Sequence, residues 1–101
     1  MTWEEYRDWQ RNGRREGTID CAGLGTAGET GEVCDLIKKF EHHQRTDIPR
    51  EQMLEELGDD FFYKTWIMDH YGFTLDEVIA SNVRKLETRY PDGFVKGGGI
   101  R

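Results

Sequence analysis

Two pairs of carboxylates, each pair spaced three residues apart, are the side chains of this sequence best suited to carry chemistry. Glu29 and Glu32 form one pair, and Glu56 and Asp59 form the other. Three residues are close to one turn of an α-helix, so both members of a pair would lie on the same helical face. Carboxylate oxygens are the hard ligands that Mg²⁺ and Mn²⁺ prefer. The spacing therefore favours a divalent-cation site built from two helices.

The ordinary alternative for such a pair is a solvated helix face, on which each acid meets a Lys or Arg four residues later. None of the four acids has a cation at that position, where the sequence has Val33, Leu36, Asp60 and Tyr63. Glu29 and Glu32 also lie on or beside the apolar stripe of their helix, which consists of Val33, Leu36, Ile37 and Phe40. Carboxylates on an apolar face cost free energy unless a cation joins them. A cage of oxygen ligands for Mg²⁺ or Mn²⁺, held between antiparallel helices, is therefore the favoured interpretation.

Donors suited to phosphate oxygens follow further along the chain. Asn82 lies within the apolar stripe of a later helix, Lys85 lies one turn on at its edge, and Arg89 lies a further turn along. Lys and Arg neutralise polyphosphate oxygens, and Lys39, near the Glu32 side of its helix, is a further candidate. An Asn on an apolar face is also explained as a core amide whose hydrogen bonds are satisfied. Both interpretations of Asn82 stay open at this point.

The elements that must position these side chains are predicted to be helices only. Capping-box patterns, Thr2 with Glu5 and Thr74 with Glu77, open the first and the fourth helix. Pro49 suits the first turn of the third helix, and Pro91 ends the fourth. The predicted helices are Trp3–Asn12, a second that begins between Asp20 and Leu24 and ends near Phe40, a third that ends near His70 or Tyr71, and a fourth that ends near Tyr90. The polar stretch 41–48 is predicted to connect the second and third helices.

The third helix is predicted to be the central one. It is apolar around most of its circumference, at Met53, Leu54, Leu57, Phe61, Phe62, Trp66, Ile67 and Met68. Such a helix is expected to be covered by its neighbours on most sides.

Composition bounds the architecture. The chain has 101 residues, which predicts one helical domain over 1–94 followed by a short Gly-rich tail over 95–101. Hydrophobic residues make up only 36%, and a small domain buries a smaller fraction of its surface than a large one. We therefore expect an oligomer, in which two or more chains share the core.

Charge and hydropathy exclude several classes of protein. The net charge is −6, from 14 basic and 20 acidic residues, and without a basic block the chain is a poor candidate for binding nucleic acid. An anionic substrate would need divalent cations to bridge the like charges. No apolar run approaches the roughly 18 residues of a membrane span, and the N-terminus lacks a signal-peptide pattern. Cys21 and Cys34 do not make a disulfide framework, so a cytoplasmic location is expected.

Three collinear segments carry a resemblance to a known family. They are GLGTAGETGEVCDLIKK (residues 23–39), EELGDDFFY (55–63) and NVRKLETRYPDGF (82–94). Together they resemble the MazG family of all-α nucleoside triphosphate pyrophosphohydrolases over roughly residues 20–94. The chain departs from the family after ELGD, where many members have aliphatic residues and this sequence has Asp60, Phe61 and Phe62.

The resemblance implies an antiparallel bundle of about four helices, completed by assembly into a homodimer or homotetramer. It implies Mg²⁺-dependent hydrolysis of a nucleoside triphosphate, often a deoxy or non-standard one, to the monophosphate and pyrophosphate. Mn²⁺ is a plausible substitute, and the role would be nucleotide-pool sanitising or control of the deoxynucleotide pool. By the same resemblance, Asn82 and Lys85 would hold phosphate or sugar oxygens and Tyr63 would line the pocket. The metal ligands and catalytic residues would be Glu29, Glu32, Glu56 and Asp59, with one glutamate orienting or deprotonating the attacking water.

Two other classes of function remain as alternatives. A catalytically silent nucleotide-binding or regulatory helical oligomer would bind triphosphate without turnover, and the intact set of four acids argues against it. A plain oligomerisation module would need neither metal nor nucleotide. Thermal stabilisation by Mg²⁺ with a non-hydrolysable triphosphate distinguishes a binder from that module, because only a binder is stabilised by mass action.

Overall fold

The computed structural model describes residues 1–42 and 49–93, and the described part is all-helical. Its elements are α1 (Trp3–Arg11), α2 (Ile19–Ile37), α3 (Arg50–His70) and α4 (Leu75–Arg89), with a π-helical turn at Lys38–His42 that extends α2. The all-α prediction is confirmed. None of the described helices combines the length and the apolar character needed to cross a membrane.

The capping signals place three of the four helix starts closely. Both predicted capping boxes form, at Thr2 and at Thr74, and Pro49 caps α3 one residue before its first turn. The start of α2 differs from the prediction, because Thr18 takes an extended conformation and the helix begins directly after it at Ile19. Most of the predicted connection at 41–48 and the Gly-rich tail at 95–101 lie outside the described residues.

Helices α2 and α3 form the antiparallel pair on which the rest of the described structure is built. Gly25 of α2 lies against Tyr63 of α3, while Thr30, further along α2, meets Asp60, which comes earlier in α3. This opposite order of contacts makes the two helices antiparallel. In the described part of the chain, the buried apolar side chains are few, namely Ala22 and Leu36 from α2 and Trp66 from α3.

Helix α1 is fastened to α3 by a buried polar network. Gln10 is fully buried. Its Nε2 donates to Thr65 Oγ1 at 2.7 Å, and its Oε1 accepts from Arg15 Nη2 at 2.6 Å. The guanidinium groups of Arg11 and Arg15 both donate to the carboxylate of Asp69. The segment that follows α1 is therefore held against α3 by Arg15.

The expectation that α3 is covered on most sides fails on one face of the single chain. Leu54 and Leu57 are 51% and 47% exposed. Phe61 stacks on Tyr6 of α1 but is still 41% exposed. Helix α4 has no buried residue, and its apolar stripe includes Ile79, Val83 and Leu86, which are 51%, 46% and 42% exposed. Among residues 1–42 and 49–93, two apolar helix faces thus remain largely exposed.

The Asp69 network predicts a pH-dependent contribution to stability. Hydrogen bonds from Arg11, opposed by partial burial and reinforced by Arg15, lower the pKa of Asp69 from 3.8 to about 2. Because the pKa is lower in the folded state, the stabilisation is complete above about pH 4 and is lost as pH falls towards 2. Asp69→Asn should therefore lower the free energy of unfolding at pH 7 by about 2 kcal/mol, with the gap closing between pH 4 and 2.

Urea unfolding of both proteins at several pH values measures this difference. Asp8→Asn is a matched control, because Asp8 pairs with Arg7 on the surface with 63% of its side chain exposed. That substitution should change the free energy of unfolding by less than about 1 kcal/mol. A deficit in Asp69→Asn that stays constant from pH 7 to pH 2 would contradict the assignment.

Candidate metal centre

Three of the four predicted acids converge where the middle of α2 faces the first half of α3. One carboxylate oxygen each from Glu29, Glu56 and Asp59 lies within 4.8 Å of the other two. Glu29 comes from α2 and the other two come from α3, so the antiparallel packing of the two helices creates the cluster. The i, i+3 spacing places Glu56 and Asp59 one turn apart on the same face.

This arrangement suits a small divalent cation. Around Mg²⁺, ligand oxygens at about 2.1 Å from the ion lie about 3 Å apart when adjacent and about 4.2 Å apart when opposite. The three carboxylate oxygens lie within 4.8 Å of one another, a range from which side-chain rotation can reach these separations. All three donors are carboxylates, the ligand chemistry that favours Mg²⁺ and Mn²⁺ over zinc or iron. Asp59 is exposed whereas Glu29 and Glu56 are half-buried, so one side of the cluster remains open to water and to a substrate.

The electrostatics of the cluster also favour a cation. Partial burial, followed by the charges of Asp59 and Glu56, raises the pKa of Glu29. Partial burial and the charges of Glu32 and Asp59 raise the pKa of Glu56. Within residues 1–42 and 49–93, none of these four carboxylates forms an ion pair with a Lys or Arg. A bound cation would relieve the mutual repulsion that these shifts report.

Glu32 stands apart from the other three acids. Its carboxylate is not part of the convergent group, and the residue is exposed. It remains close enough for its charge to raise the pKa values of Glu29 and Glu56. The structure therefore places Glu32 at the edge of the cluster, on the same helix as Glu29.

Asp60, the acid that departs from the family pattern, is held by partners of its own. Its Oδ1 accepts a hydrogen bond from Thr30 Oγ1 at 2.7 Å and pairs with the ammonium group of Lys64. Burial works against the charged form, but the hydrogen bonds from Lys64 and Thr30 outweigh it and lower the pKa of Asp60. The sequence reasoning missed Thr30 and Lys64, although the i, i+4 spacing of Asp60 and Lys64 is a visible signal of their pairing.

Tyr63 lies one turn beyond Asp59 and packs against α2. A Cβ atom added to Gly25 would lie 2.5 Å from Tyr63 Cε1, so only glycine leaves room for this ring. The ring also stacks on Trp66, with centroids 6.1 Å apart. Gly25 therefore permits the close approach of α3, whereas an added Cβ at Gly28 would meet no atom within 4 Å.

The predicted phosphate-binding side chains lie elsewhere in the single chain. Asn82 and Lys85 line a cavity of about 570 Å³ beside α4, together with Phe73, Val78 and Ser81. None of the four acids is among the described residues that line this cavity. Asn82 is exposed, which does not fit a core amide within one chain. Lys39 pairs with Asp35, with 2.8 Å between Nζ and Oδ2, and Arg89 is exposed near the end of α4.

Comparisons with known proteins support the resemblance seen in the motifs. The family model for the MazG nucleotide pyrophosphohydrolase domain matches residues 18–94, which include α2, α3, α4 and every candidate site residue. The chain therefore belongs to the MazG family, which is divalent-metal dependent. The gene 37 protein of Mycobacterium phage L5 is 29% identical over 79 residues, which cover 75% of this chain and 69% of the phage protein. No solved structure matches the chain significantly.

Proposed function

We propose that this member of the MazG family hydrolyses a nucleoside or deoxynucleoside triphosphate to the monophosphate and pyrophosphate, with Mg²⁺ as cofactor and Mn²⁺ as a substitute. The observation that carries the proposal is the convergence of Glu29, Glu56 and Asp59 without a cationic partner among the described residues. Membership of a family of nucleotide pyrophosphohydrolases supports the reaction class. The corresponding biological role is to remove non-standard nucleotides or to control the deoxynucleotide pool.

Glu29, Glu56 and Asp59 would hold the cation, because each offers an oxygen to one shared position. When bound, Mg²⁺ would polarise the phosphoryl oxygens, stabilise the pyrophosphate leaving group and lower the pKa of the attacking water. The exposed side of the cluster, at Asp59, would admit the triphosphate. Tyr63, held against Gly25, would form one wall beside the cluster.

Glu32 would act on the water rather than as the principal ligand. It lies outside the convergent group yet is electrostatically coupled to it, which suits a carboxylate that orients the water and accepts its proton. The water oxygen would form a bond to the α-phosphorus while the bond from that phosphorus to the β-phosphate bridging oxygen breaks. The products would be the monophosphate and pyrophosphate, with one proton passed to Glu32 and then to solvent.

A second copy of the chain would complete the site. The cavity lined by Asn82 and Lys85 holds none of the acids, and α4 leaves its apolar stripe exposed. Covering that stripe with another chain in a homodimer or homotetramer would bring the donors of α4 to a partner's acids. Lys39 and Arg89 would add positive charge near the triphosphate.

The primary experiment measures pyrophosphate and orthophosphate release with Mg²⁺ from canonical, deoxy, uracil-containing and oxidised triphosphates. Pyrophosphate and the monophosphate should appear from at least one substrate, and chelation of the metal should abolish the reaction. Thermal stabilisation by Mg²⁺ with a non-hydrolysable triphosphate, but no product from any substrate, would instead identify a catalytically silent nucleotide-binding protein.

Two substitutions separate a ligand from a proton acceptor. Asp59→Asn should lower kcat by more than about a hundredfold and raise the Mg²⁺ concentration for half-maximal activity, because a ligand oxygen loses its charge. Glu32→Gln should lower kcat by a similar factor while leaving the Mg²⁺ requirement close to that of the unaltered protein. Steady-state kinetics over a range of Mg²⁺ concentrations measure both quantities.

Glu51→Gln, an exposed change in the first turn of α3, is the matched control and should leave kcat and the Mg²⁺ requirement unchanged. Normal turnover in both Asp59→Asn and Glu32→Gln would contradict the roles proposed for Asp59 as a metal ligand and for Glu32 as the proton acceptor.

Sharing of sites between chains predicts complementation. Asp59→Asn and Asn82→Ala chains should each be nearly inactive alone, but co-expressed mixtures should recover activity at about a quarter of the sites, as random pairing in a symmetric dimer requires. Sedimentation of the unaltered protein should show a dimer or tetramer. A mixture no more active than the sum of its parts would mean that each chain builds its site from its own α4.

A further inference from the structure

We propose that Thr30, Asp60 and Lys64 act as positioning residues, which set the register between α2 and α3 so that Glu29 and Asp59 meet around one cation. We call these three side chains the register clamp. The proposal rests on the proposed metal site and deepens it, because it concerns how the ligands are held rather than which residues they are. It also gives a role to Asp60, which the family pattern does not explain.

The clamp is a closed set of three polar groups. Thr30 Oγ1 donates to Asp60 Oδ1 at 2.7 Å, Lys64 Nζ donates to Thr30 Oγ1 at 3.0 Å, and Lys64 also pairs with Asp60. The side chain of Asp60 is only 16% exposed, whereas that of Lys64 is 42% exposed. The carboxylate therefore lies at the helix interface while the ammonium group reaches it from the solvent side. A hydrogen bond to a charged, partly desolvated acceptor is stronger and more directional than one between neutral groups.

The clamp is adjacent to the ligands on both helices. Thr30 directly follows Glu29 on α2, and Asp60 directly follows Asp59 on α3. Successive helical residues are rotated by about 100°, so in an antiparallel pair both following residues point to the same edge of the interface. The Thr30–Asp60 hydrogen bond thus joins the two helices one residue away from the position at which two of the ligands converge. Sliding or rotating one helix would break this bond and separate Glu29 from Asp59.

Thr30 supplies the polar contacts that fix the register of this interface. Across residues 1–42 and 49–93, the hydrogen bonds of Thr30 are the only side-chain hydrogen bonds between α2 and α3. The shape of α2 constrains the interface at the contact of Gly25 with Tyr63 and at the buried Ala22 and Leu36. An added Cβ at Gly23, Gly28 or Gly31 would meet no atom within 4 Å. The repulsion among the acids also works against close approach of the helices. A directional bond at this point offsets that repulsion when the cation is not yet bound.

Lys64 supplies the charge that makes the clamp compatible with the metal site. Without it, Asp60 would add another uncompensated carboxylate beside Glu29, whose pKa already responds to the charge of Asp60. With Lys64 paired to Asp60, the register clamp has a net charge close to zero. It can therefore join the two helices without adding to the repulsion among the acids. The i, i+4 geometry keeps that pair within α3, so Thr30 is the member that joins the helices.

The test uses the full chain and Mn²⁺ alone, measured by electron paramagnetic resonance titration of free and bound ion. Thr30→Val keeps the shape of the side chain and removes the hydroxyl. It should weaken Mn²⁺ binding by about tenfold, the range expected when a partner that orients a metal ligand is lost. Thr30→Ser restores the hydroxyl and should bind Mn²⁺ close to normally. In turnover, Thr30→Val should raise the half-saturating Mg²⁺ concentration much more than it lowers kcat at saturation.

Thr65→Val is the matched control. It makes the same substitution on α3, but it removes the hydrogen bond to Gln10 of α1 rather than a link to α2. It should lower the melting temperature and leave Mn²⁺ affinity within about twofold of the unaltered protein. If Thr30→Val does not fold, Thr30→Ala decides, because alanine also removes the hydroxyl, changes no charge near the site and is a better helix former than valine. It should weaken Mn²⁺ binding by about tenfold.

Unchanged Mn²⁺ affinity in Thr30→Val, or an equal loss in Thr65→Val, overturns the proposal. An unaltered chain that binds no Mn²⁺ at millimolar concentration overturns it as well. If Mn²⁺ binds and depends on Thr30 but no triphosphate is hydrolysed, the positioning role stands and the proposed activity fails. The two proposals are therefore separately testable.

Discussion

The main physical constraint on this structure comes from carboxylates that the α2–α3 pair brings together. These groups are partly buried and repel one another. Partial burial and neighbouring acids raise the pKa values of Glu29 and Glu56. Gathering like charges in this way lowers the free energy of unfolding, and other interactions in the fold must offset this effect. A site with this property is suited to a cation, because binding the ion removes the repulsion that the fold had to accept. The repulsion within this cluster therefore also makes it the candidate site for a ligand.

The same helix, α3, carries acids in two opposite situations. Asp69 receives two guanidinium groups and its pKa falls to about 2, whereas Glu56 has no cationic partner among the described residues and its pKa rises. The residue types alone do not distinguish these two cases, since both residues are acids on the same helix. What separates them is whether the neighbouring helix offers arginines or further acids. Asp69, whose carboxylate is hydrogen-bonded to two arginines, holds α1 in place. Glu56, which has no cationic partner among the described residues, is available to a ligand.

This contrast also explains what could be predicted from the sequence. Local rules were sufficient for the all-α class, for the capping boxes at Thr2 and Thr74, and for the pairing of acids on one helical face, because each depends on residues within one turn of each other. The roles of Gln10 and Thr30 were not predictable in this way, because their partners lie on other helices. The separation of Glu32 from the other three acids likewise depends on how α2 is rotated against α3, which spacing within α2 does not determine.

The structure shows where the low hydrophobic content of 36% has its effect. The single chain leaves one face of α3 and the stripe of α4 uncovered, and the cavity lined by Asn82 and Lys85 is on the same helix as that stripe. If a second copy covers α4, as proposed, the interaction that completes the apolar core also delivers the phosphate-binding donors. Assembly and catalysis would then share one equilibrium, so that a dissociated chain would retain its acids but lack the groups that hold the triphosphate against them. The exposed apolar faces of the single chain would in that case make activity depend on assembly, because only the assembled protein would hold both halves of the site.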